Sequence, residues 1–123
     1  MANDFKRFVK KDIGTGEGAS GSTVYTVPAG SGSSALESIV IGITIANKST
    51  AGITCDVFID ALGGASDDVY IVKDASIPAG SSLEVMSGNK LVLQNSGSAG
   101  DILKMTSSTA SAADGVVSVL EDV

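Results

Sequence analysis

From Ser22 onward, apolar and polar residues alternate with a period of two, and no stretch keeps a helical period. STVYTV at 22–27 is the first strand this predicts, stopped by Pro28. LESIVIGITIA, 36–46, is the longest. On a regular strand Ile39, Ile41, Ile43 and Ile45 share one face. The other carries Val40, Gly42, Thr44 and Ala46, all small or mildly apolar. Such a strand is expected at the centre of a sheet, covered fully on one side and lightly on the other. ITCDVFID, 53–60, alternates most cleanly. Ile53, Cys55, Val57 and Ile59 point one way. Thr54, Asp56, Phe58 and Asp60 point the other, with Phe58 out of character there. VYIVK (69–73), SLEVM (82–86), KLVLQ, DILKMT (101–106) and GVVSVL (115–120) follow. SGN at 87–89 reads as a tight hairpin turn, and ALGGASDD, NSGSAGD and SSTASAADG read as loops.

Eight short strands at roughly ten-residue spacing predict an all-β fold, a single β-sandwich with Greek-key or jelly-roll connections. VPAGS at 27–31 and IPAGS at 77–81 hold the chain's two prolines. The pair predicts two equivalent corners, since proline cannot sit mid-ladder and the glycine permits positive φ.

The first 21 residues depart from this pattern and are expected as a basic arm with a glycine-rich linker ahead of a 22–123 sandwich domain. Residues 1–12 hold four of the eight basic side chains, Lys6, Arg7, Lys10 and Lys11, against Asp4 and Asp12, a balance of +2. The remainder has four lysines and twelve carboxylates, a balance of −8. An acidic body repels phosphate backbones, so nucleic acid is not an expected partner. Phe5, Phe8 and Val9 follow an i, i+3, i+4 spacing, so a short helical turn would be amphipathic. An extended arm could instead join the edge of a neighbour's sheet. Two of the three phenylalanines lie here, which points to docking. Phe5, Lys6, Arg7, Phe8, Val9, Lys10 and Lys11 are the candidate docking residues.

Other candidate chemistry weakens on inspection. GTGEGASG, 14–21, lacks the Lys-Ser/Thr ending of a phosphate loop and reads as a linker. Asp56, Asp60, Asp67 and Asp68 have no calcium-loop spacing and read as solvated carboxylates. Lys73, Lys90 and Lys104 offer no serine at a telling distance. Histidine is absent, which lowers the expectation of proton-transfer catalysis. The single cysteine, Cys55, cannot form an internal disulfide and is expected in the core. No apolar run reaches membrane-span length, and no cofactor, metal or membrane partner is expected.

The strings ANDFKRFVKKDIGT, TVYTVPAG, IGITIANKSTAGITCDVFI, YIVKDASIPAGSSLEV, KLVLQ and DILKMTSSTASAADGVVSVLE span nearly the whole chain. Together they resemble small virion structural proteins of tailed bacteriophages, of the marine phage and cyanophage type. The resemblance implies a non-enzymatic β-sandwich subunit, present in many copies, assembled in the host cytoplasm and carried in the virion. Its partners would be further copies of itself and virion proteins such as the major capsid or tail proteins. Capsid decoration or cementing is the expected role, and a neck, tail or fibre-adaptor subunit is the alternative. A carbohydrate- or surface-binding sandwich is the rival of a different class. It would need exposed aromatic rings, for which the body offers Tyr25, Phe58 and Tyr70.

Overall fold

In the computed structural model the chain is all-β, with two antiparallel sheets packed face to face. The structure describes residues 3–16, 20–30, 32, 35–61, 68–86 and 90–122. Nine strands are present among them: β1 (Asn3–Lys10), β2 (Ser22–Thr26), β3 (Leu36–Asn47), β4 (Ile53–Asp60), β5 (Asp68–Ile77), β6 (Ser82–Glu84), β7 (Leu91–Asn95), β8 (Ile102–Ser107) and β9 (Ala113–Asp122). Sheet A runs β1-β9-β3, with β6 and β7 both on the far side of β3. Sheet B runs β2-β8-β4-β5. Only β4 and β5 are both consecutive and paired, so most connections cross between the sheets.

The apolar faces meet in one core. Val40, Ile43, Ile45, Leu93, Val117 and Val119 of sheet A face Tyr25, Ile53, Cys55, Val57, Leu103 and Met105 of sheet B. Cys55 sits there as expected, and burial pushes its thiol pKa up. At about 25 cal/mol per Å² of apolar surface, such packing is the main favourable contribution to folding.

β3 is central, as its composition predicts, but it is not regular. An extra residue at Ile41 breaks its register with β9, between Val40↔Val119 and Gly42↔Ser118. A bulge of one residue reverses the alternation beyond it. Ile43 and Ile45 therefore join the core with Val40, while Ile41 is 42% exposed. The four isoleucines do not share a face.

The hairpin expected at 87–89 falls outside the described residues, and its two strands do not pair with each other. β6 pairs with Thr44–Ala46 and β7 with Leu36–Val40, both antiparallel to β3. They are two pieces of one edge, running in the same direction, with the break opposite the Ile41 bulge.

The prolines do mark equivalent corners. Val27 and Ile77, which precede them, are buried, and each carbonyl accepts a hydrogen bond from a buried asparagine amide. Asn95 Nδ2 donates to Val27 at 2.7 Å and Asn47 Nδ2 to Ile77 at 3.0 Å. Both asparagines end a strand of sheet A and accept the backbone N–H two residues on, from Ser49 and Gly97. Both open a matching string, NKSTAG at 47–52 and NSGSAG at 95–100. At the Val27 corner the fit needs glycine: a Cβ on Gly100 would lie 2.3 Å from the Val27 carbonyl oxygen.

The first 21 residues are not a separate unit where they are described. Residues 3–10 are β1, paired with β9 from Asn3↔Asp122 to Lys10↔Gly115. Ile13, within the expected linker, is wholly buried and donates its N–H to Ala113 at 2.8 Å.

Candidate functional site

β1 lies on the edge of sheet A, so of the two forms open to the arm the extended one is realised, on the chain's own sheet. A strand sends alternate residues to opposite faces. The helical spacing of Phe5, Phe8 and Val9 therefore splits. Phe8 turns inward against Tyr25, with ring centroids 4.5 Å apart. Phe5 and Val9 turn outward and are 77% and 58% exposed.

Lys6 sits on the inward side, where its ammonium lies 2.8 Å from Glu121 Oε1. Glu121 is a buried carboxylate whose other oxygen accepts from the Tyr25 hydroxyl at 2.5 Å. The same hydroxyl lies 2.6 Å from Ser38 Oγ. Burial, with the hydrogen bond to Glu121, pushes the Tyr25 pKa well up, so the ring stays neutral beside the carboxylate. This cluster ties β1, β9, β3 and β2 together and uses Lys6 and Phe8 for fold rather than docking. Lys10, half-buried, pairs with Gly115 in the ladder, and Lys11 is exposed just beyond β1.

The outward residues form a continuous face. The ladders put Phe5 opposite Leu120, Leu120 opposite Ile39 and Ile39 opposite Val92, one apolar row across four strands. Two residues along, Arg7, Ser118 and Gly42 form the next row. Beyond it come Val9, Val116, Thr44 and Glu84. Phe5, Val9, Ile41, Val92 and Val116 are five of the seven large hydrophobics exposed among the described residues. Scattered exposed apolar side chains are ordinary, and a contiguous set on one sheet face is the candidate contact surface of this chain. Phe5, Arg7 and Val9 are the expected docking residues that belong to it. Ile39, Ile41, Val92, Val116 and Leu120 were not foreseen, because the face exists only once the Ile41 bulge and the β1–β9 and β3–β7 pairings are known.

The remaining candidates are occupied differently. Asp56 is buried, ion-paired with Lys73 at 3.1 Å, and accepts the Asp74 N–H at 2.6 Å. Asp60 is paired with the buried Lys104 at 3.4 Å. These are not the solvated carboxylates expected. Asp68 is half-buried on β5, Asp67 lies outside the described residues, and Lys90 is exposed just before β7. An open polar pocket of about 160 Å³ is lined by Thr15, Asp56, Asp74, Thr106 and Ser107, among others, and Asp56 in it is already paired. Of the three rings a sugar-binding surface would use, Tyr25 and Phe58 are buried and Tyr70 is 41% exposed. No helix among the described residues is long and apolar enough to cross a membrane.

No family model, no curated protein and no solved structure matches this chain.

Proposed function

We propose that this protein is a non-enzymatic structural subunit of a tailed-phage particle, working as a homo-oligomer that decorates or cements the capsid. The observation that carries the assembly role is the exposed apolar face of sheet A. The phage setting is supported by the resemblance of the sequence strings. Burying a face of this kind against a second copy removes apolar surface from water on both copies, and symmetry repeats each contact.

The test must spare the inward side of β1. Deleting residues 1–12 would strip Lys6 from Glu121 and Phe8 from Tyr25, so it would probe folding rather than docking. Phe5→Ser with Val9→Ser changes only the outward side. The full-length double variant should stay folded by circular dichroism, run as a monomer in light scattering, and fail to incorporate into particles. Association and incorporation equal to the parent's would remove the case for this face.

A further inference from the structure

We infer that residues 22–60 and 68–107 are two copies of one unit, joined in tandem and folded together about a pseudo-two-fold axis. Each unit holds a sheet B strand, a Pro-Ala-Gly-Ser corner, a sheet A strand, an asparagine corner and a second sheet B strand. In the first unit these are β2, VPAGS, β3, NKSTAG and β4. In the second they are β5, IPAGS, β6 with β7, NSGSAG and β8.

The two strings align the units without reference to strand pairing. Pro28 and Pro78 are fifty residues apart, and Asn47 and Asn95 forty-eight. Shifts of fifty for β2 and forty-eight for β4 then dictate which ladder contacts must recur. The β2–β8 ladder contains Ser22↔Met105, Tyr25↔Leu103 and Thr26↔Ile102. Carried across, these become Val72↔Val57, Ala75↔Cys55 and Ser76↔Thr54, and all three are pairs of the β4–β5 ladder. The irregularity recurs as well. In both ladders the edge strand carries one extra residue, within Thr23–Val24 of β2 and within Lys73–Asp74 of β5. A bulge belongs to one pairing at one place, and period-two alternation does not produce the same one twice.

Exchanging the units turns the order β2-β8-β4-β5 into its own reverse. Val57↔Met105 maps onto itself, so the axis passes through that wholly buried pair. The ladders β2–β8, β8–β4, β4–β5, β3–β6 and β3–β7 all join one unit to the other. Among the described residues neither unit has a ladder of its own, so each is completed by the other. The corners repeat this relation. Asn95 holds the carbonyl of Val27, and Asn47 that of Ile77. For a Cβ at Gly100 or at Gly52 the nearest atom is the same carbonyl oxygen, of Val27 or Ile77. β1 and β9 belong to neither unit and extend sheet A beyond β3. Phe5, Val9, Val116 and Leu120 of the apolar face therefore lie on strands added to the symmetric body.

A segment transplant in the full-length chain tests the equivalence. Gly97, third in its string, has a φ of 100°, whereas Ser49 at the matching place has no positive φ. The Ser49 hydroxyl instead donates to Asn47 Oδ1 at 2.7 Å. Gly97→Ser alone puts a side chain on a left-handed backbone and should lower the folding equilibrium constant about tenfold in urea unfolding. Gly97→Ser with Ser96→Lys and Ser98→Thr gives NKSTAG at 95–100. That segment should take up the turn of 47–52 and recover the parent's midpoint. A triple variant no more stable than the single one overturns the equivalence of the units. A second variant tests whether the link between them is only a link. Opening the chain between Gly64 and Ala65, and joining Val123 to Met1 through a short glycine linker, puts the second unit ahead of the first. Asn3 lies opposite Asp122, so the ends to be joined are close. The permuted chain should keep the parent's circular dichroism and single cooperative transition. Loss of either would make the connection part of the fold and overturn the two-unit reading.

Discussion

On the outer face of sheet B, Phe58 and Lys104 are buried side by side; on the outer face of sheet A, Phe5 and Val92 lie in water. The two faces invert the usual expectation. The sheet B row runs Tyr70, Phe58, Lys104 and Thr23 across its four strands. Tyr70 packs on Phe58 with centroids 5.1 Å apart, Lys73 lies 5.2 Å from the Tyr70 ring, and Lys73 and Lys104 hold Asp56 and Asp60. Charges on that face are spent on the chain's own carboxylates. Among the described residues the sheet A face carries more of the exposed large apolar side chains and has no such cover. The lesson concerns what alternation can report. It tells which residues leave the core, and it does not tell whether the face they enter is open.

If the sheet B face is closed as described, its ion pair should be the costliest thing to break. Lys104→Ala leaves Asp60 as a buried, unpaired carboxylate, and a loss of about 3–5 kcal/mol is expected in urea unfolding. Lys104→Met together with Asp60→Leu should recover most of it, since apolar replacements of similar volume remove the desolvation penalty from both partners. A single variant as stable as the parent would mean that water reaches this face and that the contrast between the sheets is false.

β1 allows the contrast to be drawn within one strand. Phe8→Ala removes the inward ring from Tyr25 and should cost about 1–2 kcal/mol, as expected for a partly buried aromatic. The Tyr25–Glu121 contact behind it adds a pH signature. The Tyr25 pKa is raised on folding, so its contribution is complete below the unfolded value near 10 and is lost as pH rises towards the folded value. Alkaline unfolding of the parent should steepen above about pH 10, and Tyr25→Phe should remove that slope.

The strands after Ser22, the central place of β3 and the buried Cys55 were all legible, because apolar and polar residues alternate in the sequence even where, as in β4 and β8, residues of both faces are buried. The Ile41 bulge was not, because a bulge belongs to the pairing of two strands and the sequence of one reads straight through it. β6 and β7 show the same limit: a turn-like SGN says that a ladder pauses, not that the chain reverses. β1 was hidden by coincidence. Phe5, Phe8 and Val9 fit a helical spacing, and the residue that explains Lys6, Glu121, lies at the other end of the chain. One missed signal was present: Asn47 and Asn95 open matching strings, and the two carbonyls they hold precede the two prolines already singled out.

A smaller effect tests the edge where β1 ends. Asp114 accepts the Asp12 N–H at 2.9 Å and lies 3.0 Å from the Lys48 ammonium. The Asp12 N–H first, and Lys48 second, hold its carboxyl below the usual range. A depressed carboxyl contributes above its unfolded value, near 3.9, and the contribution is lost as pH falls through the folded one. Asp114→Asn should therefore cost stability at neutral pH, and the gap from the parent should close in the acid range. Because the group is well exposed, solvent and salt keep the gap under about 1 kcal/mol.

The least effect on folding is expected from the residue that matters most on the open face. Phe5 is 77% exposed, so Phe5→Ser removes almost nothing that the folded monomer buries. Its urea midpoint, measured at a concentration where the parent is dissociated, should stay within about 0.5 kcal/mol of the parent's, as for a surface change. Repeated at a concentration where the parent associates, the comparison should separate the two proteins. The parent's apparent stability should rise with protein concentration, because self-association favours the folded state by mass action, and the variant's should not. Lys104→Ala should behave in the opposite way, losing the same stability at both concentrations. Concentration therefore distinguishes a face that is part of the fold from a face that waits for a second copy. A Phe5→Ser variant whose stability still climbed with concentration in step with the parent would place the contact elsewhere on the molecule.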